Sequence, residues 1–158
     1  MSLTNLETPS QADLDVIGAQ LGREPRAVVG VAWRCPSGQP GVIATEPRLP
    51  GGAPFPTFYY LTCPKLVAEC SRLESAGLMA QFARRLAAEP ELAAAYRAAH
   101  DSYLADRAEY GDVPQIAGIS AGGMPDRVKC LHALLAHALA RPGVNPIGAE
   151  VAAMLGVG

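Results

Sequence analysis

The sequence predicts an α+β fold: a small three-stranded antiparallel sheet in the N-terminal half, packed by about five to six helices. Runs of β-branched and aromatic residues crowd positions 27–62, each bounded by Gly and Pro. Beyond Cys63 the apolar residues recur at helical spacing instead. With 158 residues, 49% of them apolar, the chain is long enough to bury a core of its own.

Taken in order, residues 1–9 are polar and are expected to form a disordered tail, leaving 10–158 as a single α+β domain. Ser10 can cap a short helix with Leu14, Ile17 and Leu21 on one face and Gly22 as its stop. Ala27 to Trp33 reads as a strand, Pro36 to Pro40 as a turn, and Gly41 to Thr45 as the returning strand. A loop rich in Pro and Gly follows, and Thr57 to Thr62 supplies the third strand. Pro64 suits a first helical turn, with Leu66, Cys70 and Leu73 on the inward stripe. Further helices are expected over Leu78–Ala88 and Glu91–Tyr110, the latter packing through Leu92, Tyr96, Ala99 and Tyr103. After a loop from Gly111 to Gly123, a helix is expected from Pro125 to about Ala140. A short one after Asn145-Pro146 ends the chain near Leu155.

Charge excludes several classes. Thirteen basic and 15 acidic residues leave a formal charge of −2, without the basic footprint of a nucleic-acid binder. No apolar run reaches the ~18–20 residues that span a bilayer, so no membrane partner is expected. The first residues lack the basic and apolar regions of a signal peptide, which predicts a cytoplasmic protein. The chemistry then rests on four cysteines and three histidines. Cys35, Cys63, Cys70 and Cys130 contain no Cys-x-x-Cys pair, so a metal site has to be assembled from distant segments. In a reducing compartment a disulfide framework is not expected. Cys70 reads as a core residue.

Cys130 is expected in the first turns of a helix, beside Arg127 and Lys129, where the dipole and neighbouring cations favour thiolate. Thiolate is the form that ligates a metal and the form that attacks an electrophile. His137 lies on nearly the same helical face, but some 10 Å further along the axis. His132 points about 160° away in a regular helix. It joins Cys130 only if that cysteine precedes the helix. Cys63, before Pro64, is at a second helix start, and Cys35 sits at the hairpin turn. His100 and His137 read as polar residues at helix boundaries. Gly122, Gly123, Arg127 and Lys129 together have the ingredients of an anion site, although neither a P-loop nor a dinucleotide fingerprint is present.

Pro-Phe-Pro-Thr-Phe-Tyr-Tyr-Leu-Thr-Cys-Pro at 54–64 is followed by Ser71-Arg72-Leu73-Glu74. Val128-Lys129-Cys130-Leu131-His132-Ala133 and Gly143-Val144-Asn145-Pro146-Ile147-Gly148 come later. With these motifs, from about Leu14 to Gly148, the chain resembles the domain-of-unknown-function 501 family. Its members are small bacterial proteins, common in actinobacteria, with no established activity. Their genes often sit near those of a septum-formation protein and an exopolyphosphatase. The resemblance carries over Cys63, Cys130, His132 and Asn145 as motif positions. The hairpin turn of relatives looks like His-Arg-Cys-Pro-Cys-Gly, whereas this chain has Trp33-Arg34-Cys35-Pro36-Ser37-Gly38. A metal site dependent on that turn is therefore weakened, and one centred on Cys63 and Cys130 is not.

The leading expectation is metal binding, zinc or an iron–sulfur cluster, through Cys63 and Cys130 with His132 or Cys35. A second is a cysteine-dependent enzyme, with Cys130 or Cys63 as nucleophile and His132 as base. It would act on an anionic or phosphorylated small molecule at the 120–132 loop and helix. A third is a non-catalytic interaction protein of cell division or polyphosphate metabolism, in which the cysteines only pack.

Overall fold

The computed structural model describes residues 6–158. Three strands, β1 (Val28–Arg34), β2 (Pro40–Thr45) and β3 (Tyr59–Leu61), form an antiparallel sheet in the order β1-β2-β3. Among the described residues six α-helices surround it: α1 (Gln11–Leu21), α2 (Pro64–Ser75), α3 (Leu78–Ala88), α4 (Pro90–Ala108), α5 (Leu131–Ala140) and α6 (Pro146–Leu155). The fold is α+β, as the hydrophobic patterning predicts. Among the described residues no helix is long and apolar enough to cross a membrane.

The expected tail extends over residues 1–5, which lie outside the described part, and 6–9, which do not. Glu7 bridges to Val31 through two backbone hydrogen bonds of 2.8 and 2.9 Å, so the polar lead-in covers the free edge of β1. Ser10 caps α1 in a reciprocal capping box with Asp13, and Gly22 closes it in the left-handed region. Arg34 then reaches Asp13 at 2.9 Å and Glu7 at 2.6 Å, fastening α1 and the lead-in to β1.

Every residue of the central strand β2 is buried. Over it lies α5, whose residues 133–139 are all buried, packed between β3, α2 and α6. That packing explains why α5 is apolar all round instead of amphipathic. Close approach of α6 depends on Gly148, where an added Cβ would stand 2.0 Å from the Leu134 carbonyl oxygen.

The expected start of α5 at Pro125 is corrected. Residues 124–130 fold into turns, closed by Arg127 N–H to Gly123 O and Lys129 N–H to Gly122 O, both 2.8 Å. The helix begins at Leu131, with Cys130 as its extended N-cap. His100 and His137 are also corrected, because both are buried. His100 Nδ1 meets Ser120 Oγ at 2.7 Å. His137 stacks on Tyr59, stands edge-on to Tyr103 and takes a hydrogen bond from the Asn145 side chain, 3.1 Å away.

Two outcomes follow. Gly148→Ala should cost at least about 3 kcal/mol and lower Tm by roughly 6–12 °C, because the obstacle is backbone. Gly51→Ala, with open space at its Cβ position, should leave Tm unchanged. Differential scanning calorimetry measures both. The second concerns pH. Burial, and then Arg141, push His137 down to about 3. The unfolded chain therefore binds a proton that the folded one refuses once pH drops below about 6.5. Stability from the neutral ring is complete above that value and is lost as pH falls, by at most about 1.4 kcal/mol per unit. Urea unfolding at pH 7 and pH 5 should show this loss in the wild type and a shallower one in His137→Asn. His100, pushed down by burial, adds to the slope, and His132, pushed up to about 9, opposes it.

Candidate metal centre

Because Cys130 precedes α5 in extended backbone, with φ −152° and ψ 109°, it escapes the helical geometry that would turn it away from His132. Its Sγ lies 3.8 Å from His132 Nδ1. A third group arrives from the C-terminal end of α2: Glu74 Oε2 is 3.0 Å from the same Nδ1. One ligand atom from each of Glu74, Cys130 and His132 lies within 4.8 Å of the others. Among the described residues no other group of three such side chains closes in this way.

Each member is held from behind. Glu74 Oε2 accepts the backbone N–H of Leu131 at 2.8 Å, which ties the carboxylate to the start of α5. On the other side of the imidazole ring, Nε2 faces the Val67 carbonyl at 3.1 Å and Ser71 Oγ at 3.2 Å. A carbonyl only accepts, so Nε2 carries a proton and Nδ1 is the nitrogen turned toward Glu74 and Cys130. The contact with Cys130 is the main reason His132 is pushed up to about 9; Glu74 adds to it and burial opposes it. Burial works against ionisation of Cys130, yet the His132 contact and the Ala133 amide outweigh it, and the thiol is lowered.

Cys130 and His132 open onto a cleft of about 530 Å³ that is also lined by Tyr59, Tyr60, Thr62 and Val67. The structure places Cys63 elsewhere, outside the Glu74, Cys130 and His132 group. As N-cap of α2 it lines another cleft, together with Cys35. Burial, and then Cys63, push the Cys35 thiol up to about 11. The three or four thiolates that an iron–sulfur cluster needs are therefore not assembled around Cys130. Cys70 is fully buried, as its place on the inward stripe predicts. Asn145 caps α6 through Gly148 N–H at 2.8 Å and supports His137, so its part is structural.

The expected anion cradle is filled by the protein itself. Two of its amides are spent on Gly122 O and Gly123 O, and the cavity over Gly122 is taken by Leu134 and the Cys130 carbonyl. The anion at the start of α5 is the Glu74 carboxylate. Glu74 was readable only as the last residue of the Ser71-Arg72-Leu73-Glu74 motif. Nothing in its spacing connects it to Cys130.

A model of the DUF501 family, described as a protein of unknown function, matches residues 31–153. The chain belongs to that family. All three residues of the site, and the Cys63 N-cap, fall within the DUF501 match. No curated protein and no solved structure matches the chain.

The coupling of Cys130 to His132 is open to direct measurement. In metal-free protein, His132→Gln should raise the titration midpoint of the Cys130 thiol. Thiolate ultraviolet absorbance against pH, with Cys130→Ser subtracted to remove the other three thiols, reads the shift.

Proposed function

We propose that this DUF501 protein binds a zinc ion through Glu74, Cys130 and His132, with the fourth coordination position facing the cleft. The observation that carries the reading is the meeting of three lone-pair-bearing atoms, Oε2, Sγ and Nδ1, around one point. Such atoms repel one another unless a cation stands among them, either a proton or a metal ion. Zinc bonds of about 2.0–2.3 Å at tetrahedral angles put neighbouring N and O roughly 3.3 Å apart and N and S roughly 3.6 Å apart. The separations here are 3.0 and 3.8 Å. One thiolate and one carboxylate would balance the charge of a divalent ion. The hydrogen bond from Nε2 to the Val67 carbonyl is the support that zinc-binding histidines usually have. Three protein ligands beside a cleft is the arrangement of sites that keep a position for water or a small ligand.

The direct thiol–imidazole contact favours a second reading, a cysteine nucleophile with His132 as base. The use of the ring argues against it. In a nucleophile, base and carboxylate chain, the two partners engage opposite nitrogens of the imidazole. Here Cys130 and Glu74 share Nδ1, while Nε2 is bound to backbone.

Protein purified without chelator should contain one zinc per chain by elemental analysis. Removing a ligand in Cys130→Ser, His132→Ala or Glu74→Gln should weaken zinc by more than the roughly 10–100-fold that loss of a supporting hydrogen bond costs. Cys35→Ser should leave it unchanged. Folded wild-type protein that neither contains zinc nor takes it up on titration would overturn the metal reading. Rapid alkylation of Cys130 in that protein would favour the nucleophile.

A further inference from the structure

β3 is the last strand of the sheet, so one of its edges has no partner strand. The ladder fixes which groups lie on that edge. Thr45 N–H bonds to Phe58 O and Thr62 N–H to Gly41 O, both at 2.9 Å. Tyr60 and Thr62 therefore turn their main-chain groups toward β2, and Tyr59 and Leu61 turn theirs outward. The Tyr59 N–H is taken by Tyr103 Oη at 3.0 Å. Among the described residues no hydrogen bond reaches the Leu61 N–H or C=O.

The cleft beside Cys130 and His132 runs along this edge. Its wall includes Tyr59, Tyr60, Leu61 and Thr62 in succession. Consecutive strand residues point to opposite faces, so a cleft that touches all four follows the edge and not a face. Val67, Ala68 and Ala133 make the opposite wall apolar, and among the described residues no Asp, Glu, Lys or Arg lines it. Gln20 also lines the cleft, and its Oε1 is buried without a hydrogen-bond partner. The volume of about 530 Å³ is ordinary for a ligand pocket.

We propose that this cleft binds the C-terminal end of an apolar peptide in extended conformation, paired with Leu61 and with its terminal carboxylate on the zinc ion. The inference rests on the zinc reading, since the open position of that ion faces the same cleft. A free N–H and a free C=O on one residue of an edge strand are satisfied together by one residue of an added antiparallel strand. A ligand without a main chain would cover both groups and leave them unpaired. Gln20 Oε1 is a further acceptor for a peptide N–H. The wall offers no partner for a charged side chain, so the residues lying on it are apolar. The metal end is the one cationic position, and in an otherwise uncharged peptide the terminal carboxylate is the anion that complements it.

A fluorescein-labelled valine–leucine peptide with a free carboxylate, added to the zinc-loaded full chain, should give saturable fluorescence polarisation. The C-terminal amide of the same peptide should bind at least about tenfold more weakly, as loss of a charged contact implies. Methylating the main-chain nitrogens one at a time should cost a similar factor at a single position, the one that pairs with Leu61 C=O. Ala68→Glu, at an exposed helix position on the wall, should abolish peptide binding and keep the zinc content of the wild type. Equal affinity for acid and amide, or insensitivity to every methylation, would overturn the proposal. Displacement by equimolar octanoate would make the occupant a simple carboxylate, and a dimer dispersed by Ala68→Glu would make it a second copy; either result rejects the peptide. Zinc-loaded wild type that ignores the peptide rejects it too, and leaves the metal reading standing. Protein that takes up no zinc overturns both.

Discussion

Glu74 Oε2 receives two donors at once, the first amide of α5 at 2.8 Å and His132 Nδ1 at 3.0 Å. This one oxygen joins the end of α2 to the beginning of the most buried helix in the molecule. A helix start leaves several N–H groups without partners, and burying one unpaired would cost about 1–3 kcal/mol. The Cys130 thiol, at the N-cap, faces the Ala133 amide and His132 and also lines the cleft, but it leaves the Leu131 amide to another partner. The carboxylate from a distant segment does the capping, and it thereby stands beside the histidine one residue further on. Helix capping and site assembly are thus the same contact.

The other end of the arrangement is fixed from α4. Tyr103 Oη accepts the N–H groups of Phe58 and Tyr59 at 2.6 and 3.0 Å, where the chain enters β3. Asp106, fully buried, accepts the Tyr59 hydroxyl at 2.7 Å. Arg107 donates to the carbonyls of Pro56, Ile116 and Ile119, holding the loop before β3 against the one before α5. These side chains share one face of α4, so a single helix sets the position of the strand that leads directly to Cys63 and α2. Buried polar groups of this kind stabilise only when paired, which makes the register of β3 specific. The cleft beside Cys130, lined by Tyr59 and Tyr60, takes its shape from that register.

Local signals made most of the architecture legible. Ser10 and Gly22, the Pro residues at 64, 90 and 146, and the change from strand-like to helical spacing after Cys63 mark the elements within a few residues. The exception is the start of α5. Pro125 suggests a helix N-terminus, but Gly122 and Gly123 adopt positive φ and their carbonyls draw the following amides into turns. That shift of six residues is what frees Cys130 to meet His132. The site was legible in half: the Cys130 and His132 pair follows from sequence once the helix start is known. Glu74 does not, because its role depends on how α2 lies against α5, a tertiary fact that no spacing encodes. Likewise the close approach of the Trp33 ring depends on an absent side chain, at Gly41 in the neighbouring strand.

The candidate centre is built from unlike donors. Around Cys130 the donors are mixed, one sulfur, one nitrogen and one oxygen, and each is tethered by a second hydrogen bond or by the helix start. That group is not needed to complete the core. Phe58, Tyr96, Tyr103, Leu131 and Leu134 are buried without any ion, and a proton on His132 Nδ1 satisfies Glu74. Small zinc domains, by contrast, unfold when their metal is withdrawn. A metal bound as proposed would exchange for protons at a preformed place, so its binding free energy would go into selectivity for the ion and not into holding the chain together.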